Sequence, residues 1–425
     1  MLHRLNISAF RERYKTLIEN LSYITILQVF LLLAPLITYP YLTRVLGKEM
    51  YGIVLTAQML ATYFAMLIDF GSNSVCAKHI SLNRDNKRKL SEIVCSVFYT
   101  RLGIWIIGLL IYTAIILIVP TYRAHWVLFL LTYGMTTNEL FFPQYFYQGM
   151  EQMKFTSLTN VMIKGLFIAA IFLVVHSPDD YIWIPVFYSL GYTLSGIFAF
   201  WYIFHYLHIP FSKPDISAIR FYIKDSFAVF ATDVICSIKD KINYLLVGSC
   251  VGMESVVIYD LSTKFNNILQ QPIQIIRTVI FPRAARSRNI RKIGYVMAGM
   301  FCFTTLLVIL LNVFMPAIVT FFLHDENTDL LPIRLFSLAP VILSVSMIIS
   351  SDIFIALGYN RYVFYSILVT TAAYLLTLMI LLLTGYLHSI YSFVGMALIA
   401  YCVELIYRLI TVRRLVKKEM ERSKI

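Results

Sequence analysis

Apolar residues in this chain come in long unbroken runs, not in the alternation of a strand or the three-and-four spacing of a surface helix. Runs near 21–41, 52–70, 96–119, 126–146, 157–175 and 181–203 are followed by a second set near 227–249, 255–281, 294–323, 330–357, 363–383 and 389–410. A helix needs about 20 apolar residues to cross a hydrocarbon core. In lipid the backbone polar groups must be satisfied inside each segment, so runs of this kind form helices. The pattern predicts an all-α polytopic membrane protein with about 12 transmembrane helices. The first run continues through Pro35 and Pro40 and has no small-residue cleavage site, so it is expected to be a span and not a removable signal.

Composition agrees with this pattern. With 59% hydrophobic and only 14% charged residues, a soluble chain of 425 residues would lack polar surface. The basic residues of the connections then set the orientation. The side holding the N-terminus carries 25, among them Arg84, Lys87, Arg88 and Lys89, whereas Arg44, Lys48 and Arg123 are the 3 on the other side. Lysine and arginine collect in cytoplasmic loops, so both termini are expected to be cytoplasmic. The formal charge of +13 then reports loops facing an anionic leaflet. No nucleic-acid partner is expected; membrane lipids are.

The chain also looks duplicated. Leu46-Gly47-Lys48-Glu49 after the first span is matched by Val251-Gly252-Met253-Glu254 after the seventh. Gly149 precedes Phe155 by six residues after the fourth span, and Gly358 precedes Phe364 by six after the tenth. The expected organisation is an N-terminal six-helix bundle over 1–207, a cytoplasmic linker over 208–226 and a C-terminal six-helix bundle over 227–425. Parallel repeats of this kind are related by an axis along the membrane normal, with a site between them.

Polar residues inside the spans suggest what that site does. In the eighth span Asp260, Thr263, Lys264, Asn267, Gln271, Gln274, Arg277 and Thr278 recur at three- and four-residue steps on one helical face. At 1.5 Å per residue the stripe runs about 25 Å, most of the hydrocarbon thickness. The seventh span holds Asp233, Lys239, Asp240 and Lys241, the second Asp69, the third Arg101, the fourth Glu139, the fifth Lys164 and the tenth Arg334. A basic residue at a helix centre costs about 2.5 to 3.5 kcal/mol on insertion scales. Several facing lipid would cost as much as a whole folding free energy, so they are expected to face protein or water. Arg277, Arg334 and Arg408 lie near span ends, where snorkelling also serves, and Glu404 with Arg408 has the i, i+4 spacing of a structural pair. Asp233, Asp240 and Asp260 are placed to neutralise the deeper lysines, so an ion-paired interior and a cationic lumen both fit the pattern.

Other chemistries find little support. All eight histidines lie in connections or at span ends, which excludes an intramembrane histidine relay. There is no Gly-rich phosphate loop ending in Gly-Lys-Ser or Gly-Lys-Thr, no paired-histidine metal motif and no nucleophile elbow, so neither ATP hydrolysis nor another enzyme activity is expected. The six cysteines show no paired spacing, and no cofactor, metal site or disulfide is expected.

Pro35-Leu36-Ile37-Thr38-Tyr39-Pro40-Tyr41-Leu42-Thr43-Arg44-Val45-Leu46-Gly47, followed by Glu49 and Tyr51-Gly52, resembles the opening signature of the Wzx-type polysaccharide flippases. These are members of the multidrug/oligosaccharidyl-lipid/polysaccharide exporter superfamily. Asp69-Phe70-Gly71, Pro143 with Gln148-Gly149 and Glu151, Tyr259-Asp260 with Lys264, and Phe281-Pro282-Arg283 fit the same pattern. The resemblance implies a MATE-like fold around a central cavity. It further implies movement of an undecaprenyl-pyrophosphate-linked oligosaccharide across the bacterial inner membrane for O-antigen or other surface polysaccharide, with the polysaccharide polymerase and chain-length machinery as partners. On that reading Arg101, Lys164, Lys239, Lys241, Lys264, Asn267, Gln271, Gln274 and Arg277 bind the substrate, and Asp69, Glu139, Asp233 and Asp260 serve as gate or ion-coupling groups. As substrate contacts, Arg101 and Lys264 are expected to be replaceable by alanine without loss of protein from the membrane. A multidrug and toxic compound extrusion exporter is the alternative, but its cationic drugs favour an acidic lumen. A membrane polymerase would be expected to have a large outward loop, which is not seen.

Overall fold

The computed structural model describes residues 7–287 and 290–422, with the side chains of 7–29, 31–32, 153, 155–156, 236, 238–241, 278–287, 290–292 and 416–422 outside the description. Among the described residues the chain is helical throughout, with no strand. In chain order the helices are α1 (Ile7–Asp69), α2 (Ser72–Leu82), α3 (Lys87–Ile118), α4 (Pro120–Ala124), α5 (Trp126–Tyr133), α6 (Thr137–Phe141), α7 (Gln144–Gly149), α8 (Met153–Val174) and α9 (Trp183–His205). They continue with α10 (Ile216–Cys250), α11 (Met253–Ser287), α12 (Ile290–Leu323), α13 (Leu331–Phe336), α14 (Ala339–Ile348), α15 (Asn360–Thr384) and α16 (Ile390–Arg422).

The first two expected spans lie in α1, which breaks at Gly47 (φ 75°, ψ 166°). Gly252, its counterpart in the second half, also has positive φ, so the repeated turn falls where only glycine is comfortable. Among the described residues eight helical stretches are long and apolar enough to cross a membrane, the first being Leu33–Leu82. Neither α10 nor α11 is among them, and both carry the charged and amide residues singled out above.

Two expected spans are not continuous helices. The fourth passes from α5 through a 3₁₀ turn, Gly134–Thr136, into α6, becomes extended at Phe142 (φ −94°, ψ 101°) and restarts as α7. Phe142 precedes Pro143, whose ring disfavours helical geometry at the preceding residue. The tenth runs from α13 through α14 into a π-helical stretch, Ile349–Ile355. Local breaks of this kind free backbone groups and re-aim side chains, and they often mark functional positions. The connection after the second span also contains α2, a helix where only a polar connection was expected.

Large apolar side chains such as Leu110, Leu166, Val313 and Leu383 are exposed, whereas Arg101, Asp260, Asp352, Glu404 and Arg408 are buried. Apolar outside and ionic inside is the arrangement that lipid as solvent requires. The chain divides into two compact units, Met1–Met50 with Ala57–Val234, and Tyr51–Thr56 with Ile235–Ile425. In the first unit a buried cluster joins Cys76 and Ile80 of α2 to Val94 of α3 and Phe146 of α7. Here α2 and α7 touch so closely that a β-carbon on Gly149 would lie 2.6 Å from that of Ile80 and 2.7 Å from the Ala77 carbonyl oxygen.

Candidate functional site

In the first unit the ionic residues gather around one arginine. The last turn of α1 presents Asp69, and Gly71 at φ 69° reverses the chain into α2. The Asp69 carboxylate accepts the Asn73 backbone N–H at 3.2 Å, a stabilising place for a negative charge at a helix N-terminus. Arg101 of α3 reaches this corner with 1% of its surface exposed. Its Nη2 donates to Asp69 Oδ1 at 2.5 Å, to Ser72 Oγ at 2.7 Å and to Asn73 Oδ1 at 3.1 Å, and its Nε to Ser72 Oγ at 3.0 Å. Nη1 donates to the Glu139 carbonyl oxygen, and the guanidinium carbon stands 5.4 Å from the Tyr145 ring centroid. All three guanidinium nitrogens are therefore engaged.

Glu139 sits in short α6 between the 3₁₀ turn and the extended Phe142, and its carboxylate accepts from Asn73 Nδ2 at 3.4 Å and Asn138 Nδ2 at 3.3 Å. Lys164 of α8 lies 4.4 Å above the Tyr192 ring of α9 and interacts electrostatically with Glu139. The break in the fourth span thus brings Asp69, Arg101 and Glu139 together, with Lys164 next to them. Two cavities of about 690 and 700 Å³ lie elsewhere in this unit, beside Arg88 and Lys213 and beside Lys154 and Met162, and touch none of these four.

In the second unit Asp260 and Lys264 of α11 pair across one helical turn, with Asp260 buried. Further along the same face Asn267 and Gln274 are exposed and Gln271 half-buried, while Phe265 and Leu269 on the opposite face are buried. Arg277 donates from Nε to Ser351 Oγ at 3.1 Å. The polar stripe of α11 therefore exists as a face, but its two ends differ. One end is a closed ion pair; the other leads to the π-helical stretch.

Asp233 is exposed, and its charge interacts with that of Asp69. The side chains of Lys239 and Lys241 lie outside the described residues. Arg334 is exposed, as snorkelling predicts. Arg408 is not: it is 2.7 Å from Glu404 and donates to Ser346 and Ser366, so a residue near a span end is satisfied by protein and not by the interface. Three features are absent from the residues singled out above. Ser72 and Asn73 complete the arginine cluster. A buried chain runs from Tyr374 to Asn243 at 2.6 Å and on to Tyr259 at 2.8 Å. Asp352, buried in the π-helical stretch, carries the same signal as Asp69, a carboxylate inside an apolar run.

The family model described as polysaccharide biosynthesis protein matches residues 17–288. A protein of Escherichia coli (strain K12) named "Putative O-antigen transporter" is 26% identical over 275 residues, covering 65% of this chain and 66% of that protein. The chain thus matches about two thirds of that relative's length. A solved structure described as lipid II flippase MurJ in an inward closed conformation superposes with a TM-score of 0.71 at 14% identity, over 93% of this chain and 87% of that one. An inward-facing multidrug resistance MATE family transporter of the MOP superfamily superposes at 0.64 and 12% identity, over 93% and 99%. At these identities the two structures establish the fold and nothing more.

Proposed function

The chain belongs to the polysaccharide biosynthesis protein family, and on that premise we propose that it is a flippase, not an enzyme. Its substrate on this reading is an undecaprenyl-pyrophosphate-linked oligosaccharide, moved by alternating access across the bacterial inner membrane for surface polysaccharide assembly. The membrane is the solvent for its exposed apolar surface, both termini are cytoplasmic, and 1–207 and 227–425 act as the two bundles. The assembly machinery that polymerises the delivered units is the natural partner.

The observation that carries this reading is the buried Arg101, held against Asp69 and beside the broken fourth span. A pyrophosphate headgroup is a multivalent anion that needs cationic hydrogen-bond donors to leave water, and guanidinium supplies them in forked geometry. With every nitrogen engaged, Arg101 is best read as a latch: an arriving anion competes with Asp69 for it, and Asp69 and Glu139 act as gate groups. Lys164, Lys264 and Arg277 are the other headgroup ligands, and Lys239 and Lys241 complete the set. Asn267, Gln271 and Gln274 suit sugar hydroxyls, since an amide pairs a donor with an acceptor. Asp233 and Asp260 complete the coupling set.

Complementation of a strain lacking its own O-antigen flippase tests the reading. The wild-type chain is expected to restore surface glycan from a matching repeat unit, and Arg277→Gln to fail at comparable protein abundance. Efflux of cationic dyes without any glycan phenotype would favour the drug-exporter reading, to which the MATE-like fold also conforms. Reporter fusions placing residues 71–92 on the side opposite the N-terminus would overturn the orientation.

A further inference from the structure

Asp352 is completely buried; neither carboxylate oxygen has a partner in hydrogen-bond geometry, and the hydroxyl of the adjacent Ser351 donates instead to the Met347 carbonyl oxygen at 3.1 Å. It belongs to the π-helical stretch Ile349–Ile355, which is embedded in an apolar cluster of Ile348, Ile349, Ile353 and Phe354 with Ile273 of α11 and Met300 of α12. The elements packed against this stretch are α11, α12, α14, α15 and α16. The charged groups they offer are few. On α16 Glu404 and Arg408 are paired with each other, and Arg413 and Arg414 are exposed. Arg361 on α15 is exposed, and α14 has no ionisable side chain. The side chains of Arg283 and Arg286 on α11, of Arg291 and Lys292 on α12 and of the charged residues of 417–422 on α16 lie outside the described residues, and on α11 Glu254, Asp260 and Lys264 are at least three turns from Arg277. Among the described residues Arg277 remains, and its charge acts on Asp352, but its Nε is held by the neighbouring Ser351. Among the described residues no cation lies within ion-pair distance of Asp352.

An ionised carboxylate in this position would give up its hydration for no hydrogen bond and no ion pair, which protein interiors do not tolerate. Such surroundings suit the neutral carboxyl better than the carboxylate. The adjacent cation shows how it becomes ionised. A π-helical turn holds one residue more than an α-helical turn, and converting it to α-helix rotates the following side chains by about 100°. Arg277 is already bonded one residue away, at Ser351.

We propose that Asp352 is a proton site whose loading is exchanged against the charge of Arg277. With the carboxyl protonated, Arg277 is free to hold an anionic phosphate headgroup. When the headgroup departs, the carboxyl gives its proton to water, becomes a carboxylate and pairs with Arg277. No electron moves and one proton is released. The inference deepens the flippase reading by naming a coupling ion and its seat, and it rests on Arg277 as a headgroup ligand.

The test separates the two. Infrared difference spectra of the purified full-length protein in lipid nanodiscs, with no substrate added, report protonated carboxyl groups directly. Wild type is expected to show a carboxyl C=O band that Asp352→Asn lacks, that Asp69→Asn retains, and that disappears as the pH is raised. In Arg277→Gln, where no cation remains to reward ionisation, the band is expected to persist to at least tenfold lower proton concentration. A wild-type spectrum without the band, or an Asp352→Asn spectrum identical to wild type, overturns the proton site. If Asp352→Asn does not accumulate, the wild-type and Arg277→Gln titrations decide alone, and identical titrations overturn the exchange. None of these outcomes depends on which glycan is carried or whether one is.

Discussion

Asp69 and Arg101 are predicted to behave as one energetic unit. Arg101 exposes 2% of its side chain and Asp69 22%, so breaking the pair leaves one charge with little access to water. Removing one partner of a buried ion pair costs about 3–5 kcal/mol; losing Asp69 strands the buried Arg101, which keeps its other acceptors and so falls at about 3, whereas losing Arg101 strands the partly hydrated Asp69 and costs less. Asp69→Ala also removes the acceptor for the Asn73 N–H, which adds about 1 kcal/mol as a lost helix cap. Asp69→Asn keeps a neutral acceptor at the same place and should cost less, about 2 kcal/mol, since it gives up only charge assistance. Arg101→Met alone leaves Asp69 unpaired but partly hydrated, again about 2 kcal/mol. Combined with Asp69→Asn it removes both charges, so the double variant should be more stable than the sum of the two by about 1.5 kcal/mol. Reversible unfolding of the purified protein in mixed detergent micelles measures all four corners of the cycle. Additivity within about 0.5 kcal/mol would refute the buried-pair reasoning. Arg101→Ala is accordingly expected to lower abundance in the membrane, which revises the expectation from the sequence that only substrate contact would be lost.

Three further outcomes are expected. Cysteines at 264, 267, 271 and 274 should react with a small water-soluble thiol reagent, with 267 and 274 fastest, whereas 265 and 269 should be protected; equal protection of all six would deny that the α11 stripe faces water. Lys264→Gln leaves Asp260 buried without its partner and should destabilise by about 3 kcal/mol, with Asp260→Asn restoring most of the loss, whereas a double variant as unstable as the single would show that the pair is not what Lys264 contributes. Gly149→Val should remove the protein from the membrane while Ser74→Val does not, because the added carbons have no room against Ile80 and Ala77; normal accumulation measured by quantitative blotting would contradict the α2–α7 contact.

The sequence by itself determined the solvent, the segments and the family resemblance. Long apolar runs can be satisfied in lipid only as helices, so class and approximate span boundaries follow from local composition. The repeated Gly47 and Gly252 turns were legible because glycine takes positive φ without the strain that a side chain brings, although Phe70, Glu151, His208 and His324 adopt it too. Charges inside spans announced that an ionic interior exists, since their cost in lipid does not depend on the partner. The partner itself is a matter of tertiary structure. Asp260 with Lys264 and Glu404 with Arg408 lie one turn apart on a single helix and could be read in one dimension. Asp69 with Arg101 are 32 residues apart and Arg277 with Ser351 are 74 apart, so their meeting depends on how separate helices cross. The breaks that place Glu139 and Asp352 are likewise tertiary. Proline before or within an apolar run permits a break, but packing decides whether a span bends, unwinds or stays helical, and so decides which buried carboxylate finds a partner.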